Sequence, residues 1–363
     1  MEKLLELSDI TLIPYPTNNG RVENAIYTVK DELDDCMGNV ISETLPIFTS
    51  PMESIVGINS CEIWAKNKIR PIIPRTESIQ DRLRWCAWVF SSFSLTEINR
   101  YFVDQIRKDI GPRLHIYIDC DNGHNLGILN ACYTLKNIYG DQVVIMGGNV
   151  NNPETYDLYS EAKFDYIRVG SSSSSDKKEC GFHYPLATLL IKIMAKKAPD
   201  LNGNPPKLRP VKVVADGEIS NYSDIMKALA LGADYVMIGE DFSRIIEAEG
   251  LIYVRAKNPN TGEYEMNEIN NQKEYYGSPG YRAKCNGFCR PFHRNYSGGD
   301  RNNISSNKKP GINVDSSNWS WVDVDKSLEE WISEFEDCAK TGFMYSNSKN
   351  WIEFRKNTLY NMI

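Results

Sequence analysis

Short, nearly continuous apolar runs alternate along the chain with longer segments whose apolar residues recur at helical spacing. Such runs are typical of parallel strands buried on both faces, which lack the apolar–polar alternation of a half-exposed strand. An eighth and less regular run completes the pattern at 273–276. The seven clear strands are predicted at 45–50, 69–73, 115–119, 143–146, 166–169, 212–215 and 235–238.

Helices are predicted between and after these strands. The clearest cover 130–139 and 224–231, and Ser223 is the expected N-cap of the second. A third is predicted over 328–340, with Trp331 and Phe335 on one side. Strands and helices that alternate this often indicate an α/β fold, and 363 residues suit a (β/α)8 barrel, the TIM barrel. We therefore predict a single barrel domain over 1–363.

Composition narrows the class of protein. The formal net charge of −7 disfavours a nucleic-acid partner. Nine cysteines at irregular spacings, and an amino terminus without an apolar run, favour a reducing compartment over a disulfide framework. No apolar stretch is long enough to predict a membrane span. We expect a cytoplasmic protein that does not bind membranes.

Polar and glycine residues follow nearly every predicted strand. The carboxyl ends of barrel strands share one mouth, where barrel enzymes carry their functional groups, so we predict one shared site there. The alternative is a series of ordinary turns. The residues at these ends are Ser50, Met52, Glu53, Arg75, Asp119, Asn122, Gly123, Asn149, Gly170, Ser171, Asp216, Gly217, Glu218, Gly239 and Glu240.

Several of these ends belong to longer motifs that follow one another in a recognisable order. They are Ser8 to Pro14, Thr49 to Glu53, Gly147 to Val150, Ile167 to Gly170, Val214 to Gly217, Asp224 to Gly239 and Tyr276 to Ser278. Together they resemble the IMP dehydrogenase/GMP reductase family. The chain has no room for the paired regulatory domain of many dehydrogenases, so GMP reductase is the nearer architecture, with no inserted regulatory domain expected.

The resemblance implies an enzyme of purine nucleotide metabolism. Its substrate would be a purine nucleotide, its cofactor NADPH or NAD, and its assembly a homotetramer or another homo-oligomer. In this family a loop cysteine after a barrel strand attacks the purine, and hydride then passes between the purine and the nicotinamide. A covalent adduct of this kind divides one difficult displacement into two easier steps.

The resemblance also assigns roles to individual residues. Asp216 would hold the ribose hydroxyls, although an N-cap of the next helix is the alternative. Arg168 would lie near the base or serve as an internal ion-pair partner. The other implied substrate contacts are Ser50, Met52, Asn149, Ser171, Gly217, Gly239, Tyr276 and Gly277. The implied contacts of the nicotinamide cofactor are Asp119, Asn122 and Gly123.

The segment that should carry the catalytic cysteine departs from the family pattern. It reads Val169 to Pro185 and is about three residues shorter by alignment. Aligned from the left, the cysteine position of the family holds Lys177; aligned from the right, Cys180 falls near a threonine position of the family loop. Either Cys180 has taken over the role, with a neighbouring lysine lowering the pKa of its thiol, or no thiolate is used.

The phosphate-binding turns and the proton relay are altered as well. Glu218 and Glu240 stand where the family has small residues. Their carboxylates point outward, or the ligand lacks a phosphate there, or a metal bridges them. Arg75 replaces a lysine and keeps the charge but loses a group that can be deprotonated. His183 is a candidate acid or base, with a structural role as the alternative.

The segment 286–318 is rich in Asn, Ser, Gly and Lys. Such a stretch is either a mobile flap over the site or a disordered decoration. Cys285 lies just before this segment, and Cys289 and His293 lie within it, but their spacing is unlike that of a zinc site, and we predict no metal.

Three functions remain open from the sequence. The first is a GMP-reductase-like oxidoreductase with a rearranged catalytic loop. The second is an enzyme on the same scaffold with a changed, non-phosphorylated purine-related ligand and non-redox chemistry. The third is a catalytically inactive ligand-binding protein.

Overall fold

Eight parallel strands form one sheet in the computed structural model, which describes residues 4–14, 16, 22, 24–34, 40–106, 113–120, 122–170, 182–198, 209–217, 219–250, 252–257, 264–276 and 319–362. From the second strand to the eighth, each strand pairs with its neighbour along the chain, and the eighth pairs with the first. A parallel bridge between Phe48 and Arg70 joins the first strand to the approach of the second, so the sheet closes. The predicted (β/α)8 barrel is confirmed. The strands are Ile47–Thr49, Ile72–Ile73, Phe90–Phe93, Leu114–Asp119, Val143–Val150, Tyr166–Val169, Lys212–Asp216 and Tyr235–Ile238.

Helices cover the outside of this barrel. The α-helices are Cys61–Lys66, Ile79–Trp85, Leu95–Ile98, Leu126–Tyr139, Pro153–Glu161, Leu186–Lys197, Tyr222–Ala230, Glu240–Ser243, Leu328–Tyr345 and Trp351–Asn357. Short helical turns of other pitch occur at Leu7–Asp9, Asn99–Val103 and Gly140–Gln142.

Within the part of the chain that the structure describes, three smaller antiparallel sheets lie outside the barrel. Ile10–Ile13 pairs with Leu359–Met362, which joins the two ends of the described chain. Val29–Asp34 pairs with Val40–Thr44. The third sheet has three strands, Ile252–Lys257, Tyr264–Tyr276 and Trp319–Asp323.

The barrel interior is filled by side chains from alternate strand positions, as the two-residue period of a strand requires. These residues are Phe48, Ile72, Phe90, Tyr117, Met146, Tyr166, Val214, Tyr235 and Met237. Arg70 is buried among them, with its guanidinium carbon 5.1 Å from the Phe48 ring centroid and Nη1 donating to Tyr166 Oη at 3.0 Å. A separate and larger apolar core lies between the outer face of the strands and the surrounding helices.

The seven clear strand predictions are confirmed, but the eighth is wrong. The missing barrel strand is Phe90–Phe93, whose four residues include two serines, so it lacks the continuous apolar run by which its neighbours were found. The predicted strand 273–276 is the end of Tyr264–Tyr276, which pairs in the three-stranded antiparallel sheet outside the barrel. Antiparallel pairing with those partners excludes it from the parallel barrel sheet.

Two helix starts also differ from the prediction. The helix predicted from 224 begins at Tyr222, and Asn221 rather than Ser223 is its N-cap, because Asn221 Oδ1 accepts from the Asp224 amide at 3.0 Å. The helix predicted from 130 begins at Leu126, behind an Asn125 cap. The third prediction is confirmed, since Trp331 and Phe335 are buried with stacked rings, although that helix continues to Tyr345.

Among the residues that the structure describes, no helix has the length and apolar character needed to cross a membrane.

Candidate functional site

Asp216 ends the seventh barrel strand at the mouth, where it is buried. Its Oδ2 accepts two hydrogen bonds, one from Asn149 Nδ2 at 2.7 Å and one from Arg168 Nε at 2.8 Å. Asn149 and Arg168 come from the fifth and sixth strands, so consecutive parallel strands deliver all three side chains to the same end of the barrel. Asp216 is not the N-cap of the next helix, which Asn221 caps.

The Arg168 guanidinium contacts Tyr117 as well as Asp216. Its Nη1 donates to Tyr117 Oη at 2.7 Å. Burial alone acts to lower the pKa of Arg168, but the Asp216 carboxylate and Tyr117 more than offset it and raise that pKa above its ordinary value. Burial raises the pKa of Tyr117, so its hydroxyl stays protonated and its position is fixed. The ion-pair interpretation of Arg168 is confirmed.

A second ion pair lies at the ends of the second and fourth strands. Arg75 Nε is 2.8 Å from Asp119 Oδ2, and the Asp119 side chain is 18% exposed at the mouth, against 7% for Arg75. Asp119 also contributes to the electrostatic environment of Tyr117 and Arg168. Two guanidinium groups and two carboxylates therefore alternate around one end of the barrel.

Two glycines allow the backbones at this mouth to approach one another. Gly170 has φ +119°, and a Cβ placed on it would lie 1.9 Å from the backbone oxygen of Asp216. A Cβ on Gly123 would lie 2.2 Å from the backbone oxygen of Asn149. Any larger side chain at either position would displace a residue of the site.

The remaining predicted residues at strand ends occupy less central positions. Ser50 is buried, and its amide donates to Ile238 O at 2.9 Å, which links the first and eighth strands. Met52 packs half-buried against the core. Asn122 is exposed, and its Oδ1 accepts from the His124 amide at 3.0 Å. Gly217 and Gly239 directly follow the seventh and eighth strands, and Gly217 has φ +103°.

Glu240 points toward solvent. It begins the short helix Glu240–Ser243, its side chain is 51% exposed, and its Oε1 lies 3.4 Å from Arg244 Nη2. Of the three explanations for the altered phosphate-binding turns, this position favours the outward-pointing carboxylate. Glu218 lies outside the described residues.

His183 contacts Glu6, whose Oε1 lies within hydrogen-bond distance of His183 Nε2. This contact favours the structural role over that of an acid or base. Tyr276 is the last residue of its strand. The other predicted residues lie outside the described ranges, namely Ser171, Lys177, Cys180, Gly277, Cys285, Cys289 and His293, together with the segment 286–318.

The sequence did not predict that Tyr117 contacts Arg168 or that Glu6 contacts His183. Tyr117 sits two positions before Asp119 in its strand, so period-two alternation placed it on the same inward face, and this signal was sufficient to find it. Nothing in the sequence connects Glu6 with His183, 177 residues later. Among the described residues, no group of three or more His, Cys, Asp and Glu side chains is arranged to hold a metal ion.

A nicotinamide carboxamide fits the chemistry of the Arg75–Asp119 pair. A carboxamide presents a hydrogen-bond donor and an acceptor side by side. Asp119 offers an acceptor at the exposed edge of the mouth, next to the donors of Arg75. The residues present there therefore suit the cofactor that the sequence resemblance implies.

Known proteins resemble this chain over most of its length. The sequence model described as IMP dehydrogenase / GMP reductase domain matches residues 113–308. GMP reductase of Shouchella clausii is 24% identical over 390 aligned positions, covering 99% of this chain and 98% of that protein. Inosine-5'-monophosphate dehydrogenase of Mycobacterium leprae is 32% identical over 146 residues, which are 39% of this chain and 26% of that protein.

The fold is shared with a solved structure, inosine 5' monophosphate dehydrogenase from Legionella pneumophila. The TM-score is 0.70 at 18% sequence identity, covering 99% of this chain and 98% of that one. At this identity the likeness concerns the fold alone.

Proposed function

The chain belongs to the IMP dehydrogenase/GMP reductase family, and from that premise we propose that it is an oxidoreductase joining a purine nucleotide to a nicotinamide cofactor. The observation that carries the proposal is the buried carboxylate of Asp216, oriented by Asn149 and Arg168 at the barrel mouth. A GMP-reductase-like architecture is part of this proposal, and GMP reductase of Shouchella clausii aligns with 99% of this chain and 98% of its own length.

Asp216 binds the ribose in this proposal. An ionised carboxylate is a strong acceptor for sugar hydroxyls. Both described donors, Asn149 and Arg168, contact Oδ2, so their hydrogen bonds leave Oδ1 to the ligand. Because the pair is already formed, binding requires little reorganisation of the site.

Asp119 and Arg75 hold the carboxamide of the nicotinamide, and the cofactor, when bound, supplies or accepts the hydride. The backbone of Gly123 lies against that of Asn149. This contact brings the proposed cofactor residues, Asp119 and Arg75, next to the proposed ribose residue, Asp216. Asn122 borders it at the surface. A nucleotide and a cofactor held this way meet at fixed distance and angle, which is the main contribution a protein makes to hydride transfer.

A different chemistry on the same scaffold is favoured by one observation. Arg75 is ion-paired with Asp119 and carries a guanidinium, which stays protonated in proteins. A lysine at this position can exchange a proton, whereas Arg75 cannot act as an acid or base. An arginine at this position therefore supports the alternative of a non-redox enzyme or of an inactive binding protein. The two experiments below distinguish that alternative from the oxidoreductase.

Ligand-induced stabilisation tests binding. We would measure thermal unfolding with GMP, IMP, their deoxy and nucleoside forms, NADPH and NAD. A monophosphate at about 100 times its Kd should stabilise the wild type by about 2.7 kcal/mol. The shift should vanish in Asp216→Asn and persist in Asp141→Asn, an exposed aspartate away from the mouth. No shift with any monophosphate at millimolar concentration contradicts the proposal.

Turnover separates redox chemistry from the alternative. The absorbance of reduced nicotinamide is followed with GMP or IMP as substrate, in both directions. Nucleotide-dependent change supports the oxidoreductase. Stabilisation by a nucleotide without any change in nicotinamide absorbance supports the alternative.

Finer properties belong to the same proposal. We propose Cys180 as nucleophile with Lys177 nearby. We propose as further substrate contacts Ser50, Met52, Ser171, Gly217, Glu218, Gly239, Tyr276, Gly277 and the backbone of Glu240. NADPH or NAD as the cofactor, a homotetramer or other homo-oligomer, and a cytoplasmic location remain predictions from the sequence.

A further inference from the structure

Two side chains of the helix that follows the fifth barrel strand contact the turn 122–125, which follows the fourth strand. The Tyr159 hydroxyl donates to Gly123 O at 2.9 Å. Thr155 Oγ1 lies 2.7 Å from His124 Nδ1. Residues four apart in a helix lie on the same face, so one face of this helix holds two adjacent residues of the turn.

The Tyr159 ring is fixed between the helix and the fifth strand. A Cβ on Gly147 would lie 2.9 Å from Tyr159 Cε1, so the ring lies directly against the backbone of the strand. It also packs on Phe164, with the ring centroids 4.3 Å apart. Tyr159 is fully buried, and burial raises the pKa of its hydroxyl well above the ordinary value. The hydroxyl therefore stays protonated and remains a donor to the turn.

The turn that Tyr159 contacts lies against the site. A Cβ on Gly123 would lie 2.2 Å from Asn149 O, and Asn149 Nδ2 donates to Asp216 Oδ2 at 2.7 Å. Gly147, on which the Tyr159 ring lies, is two residues before Asn149 in the same strand. One buried side chain thus contacts both the strand that bears Asn149 and the turn that packs against it.

The turn is closed by hydrogen bonds of its own. Asn122 Oδ1 accepts from the His124 amide at 3.0 Å, and Asn122 O accepts from the Asn125 amide at 3.1 Å. All three residues are exposed, and exposed local bonds open at little cost in free energy. These bonds shape the turn but do not fix it relative to the barrel. The buried hydroxyl of Tyr159 supplies such a fixed point.

We propose that Tyr159 is a positioning residue for the nicotinamide cofactor. Because Tyr159 is fully buried, it acts through Gly123 and not by contact with the cofactor. The inference rests on the proposed function, in which Asp119 holds the carboxamide and the turn after it borders the same ligand. A displacement of about 1 Å in a supporting residue is enough to lower the rate of a reaction by about a hundredfold.

Two variants test the inference. Tyr159→Phe removes the hydroxyl and keeps the ring against Gly147. Tyr156→Phe is the matched control, because Tyr156 is a buried residue of the same helix. Its hydroxyl accepts from the Val211 amide at 3.0 Å, at the amino end of the seventh strand and away from the mouth. Each variant therefore loses one buried hydrogen bond to the backbone.

The expected result is a split between the two KM values. Tyr159→Phe should raise KM for the nicotinamide cofactor about tenfold, the effect of one lost hydrogen bond. KM for the nucleotide should stay nearly unchanged, since Asp216 keeps both of its donors. Tyr156→Phe should keep both wild-type values. An unchanged cofactor KM in Tyr159→Phe, or an equal rise in the two variants, would overturn the inference.

Hydrogen exchange separates failure of this inference from failure of the proposed function. Exchange of the His124 and Asn125 amides, followed by mass spectrometry, reports on the turn without any ligand. If wild type shows no turnover with any nucleotide and cofactor, the oxidoreductase is contradicted, and exchange decides on Tyr159. Faster exchange in Tyr159→Phe than in wild type and Tyr156→Phe supports positioning, whereas equal exchange in all three proteins overturns it.

Discussion

Arg168 and Asp216 form a buried ion pair across the sixth and seventh barrel strands, with Nε 2.8 Å from Oδ2 and side chains 11% and 7% exposed. Removing two charges from water costs several kcal/mol, which their attraction repays only when further hydrogen bonds satisfy both groups. Tyr117 Oη provides such a bond to Arg168, and Asn149 Nδ2 provides one to Asp216. The acceptor at the mouth is therefore oriented before any ligand arrives.

Tyr117→Phe should destabilise the protein more than Tyr139→Phe. The Tyr117 hydroxyl bonds to a buried guanidinium, a type of contact that contributes about 1.5–3 kcal/mol. The Tyr139 hydroxyl donates to Phe102 O at 2.7 Å, a neutral bond that contributes about 1 kcal/mol. Urea unfolding of both variants measures the difference. A loss in Tyr117→Phe no larger than in Tyr139→Phe would show that the bond does not support Arg168.

Glu97→Gln should destabilise the third barrel strand. Arg82 donates to both oxygens of Glu97, at 2.6 and 3.2 Å, and its Nη1 also donates to Ser92 O at 2.7 Å. Breaking a buried pair by removing one charge costs about 3–5 kcal/mol. Glu62→Gln is the control, because its pair with Lys66 is exposed and should contribute less than about 1 kcal/mol.

Denaturant unfolding of the Glu97→Gln and Glu62→Gln variants provides the measurement. If the two losses are equal, the Arg82–Glu97 pair does not anchor the strand.

Gly170→Ala should prevent the sixth and seventh strands from closing beside Asp216. A methyl group there would lie 1.9 Å from a backbone oxygen, at φ +119°, so the cost should exceed about 4 kcal/mol. Gly140→Ala is the control for positive φ alone. Its φ is +57° with no atom within 4 Å of the added carbon, and backbone strain should cost about 1–3 kcal/mol. Thermal unfolding compares them, and similar losses would contradict the close approach.

Lys273 should make the free energy of unfolding increase with pH between about pH 8 and pH 10.5. Its Nζ donates to three backbone oxygens, those of Ile245, Ile246 and Ala248, at 2.6–2.9 Å. Burial lowers the pKa of Lys273 from 10.5 to about 8. Between these values the unfolded chain binds the extra proton, so stability increases from pH 8 to pH 10.5, by about 3 kcal/mol. Below pH 8 the cost of burying the charge is complete.

Unfolding measured at several pH values in wild type and Lys273→Met tests this relation. The variant should lack the rise that wild type shows. Lys66→Met, which removes a lysine 68% exposed at the surface, should keep it. An identical pH dependence in wild type and Lys273→Met would place the titration elsewhere.

The sequence was informative where a local pattern carried the signal. Seven barrel strands were predictable because side chains buried on both faces leave continuous apolar runs. The positions of Asp119, Asn149, Arg168 and Asp216 followed from those strands, because the carboxyl ends of parallel strands meet at one edge. Where the local signal was weak, as in Phe90–Phe93 with its two serines, the strand was missed.

The sequence by itself determined the barrel, its mouth and the family, since these depend on periodicity and on motifs in order. Tertiary structure alone decided the partners of each charge. The fold places Arg168 next to Asp216 and Tyr117. It also places the Glu6 carboxylate where it accepts a hydrogen bond from the amide of Leu186, 180 residues later. No local pattern encodes such contacts, because a buried charge accepts whichever complementary group the fold brings within hydrogen-bond distance.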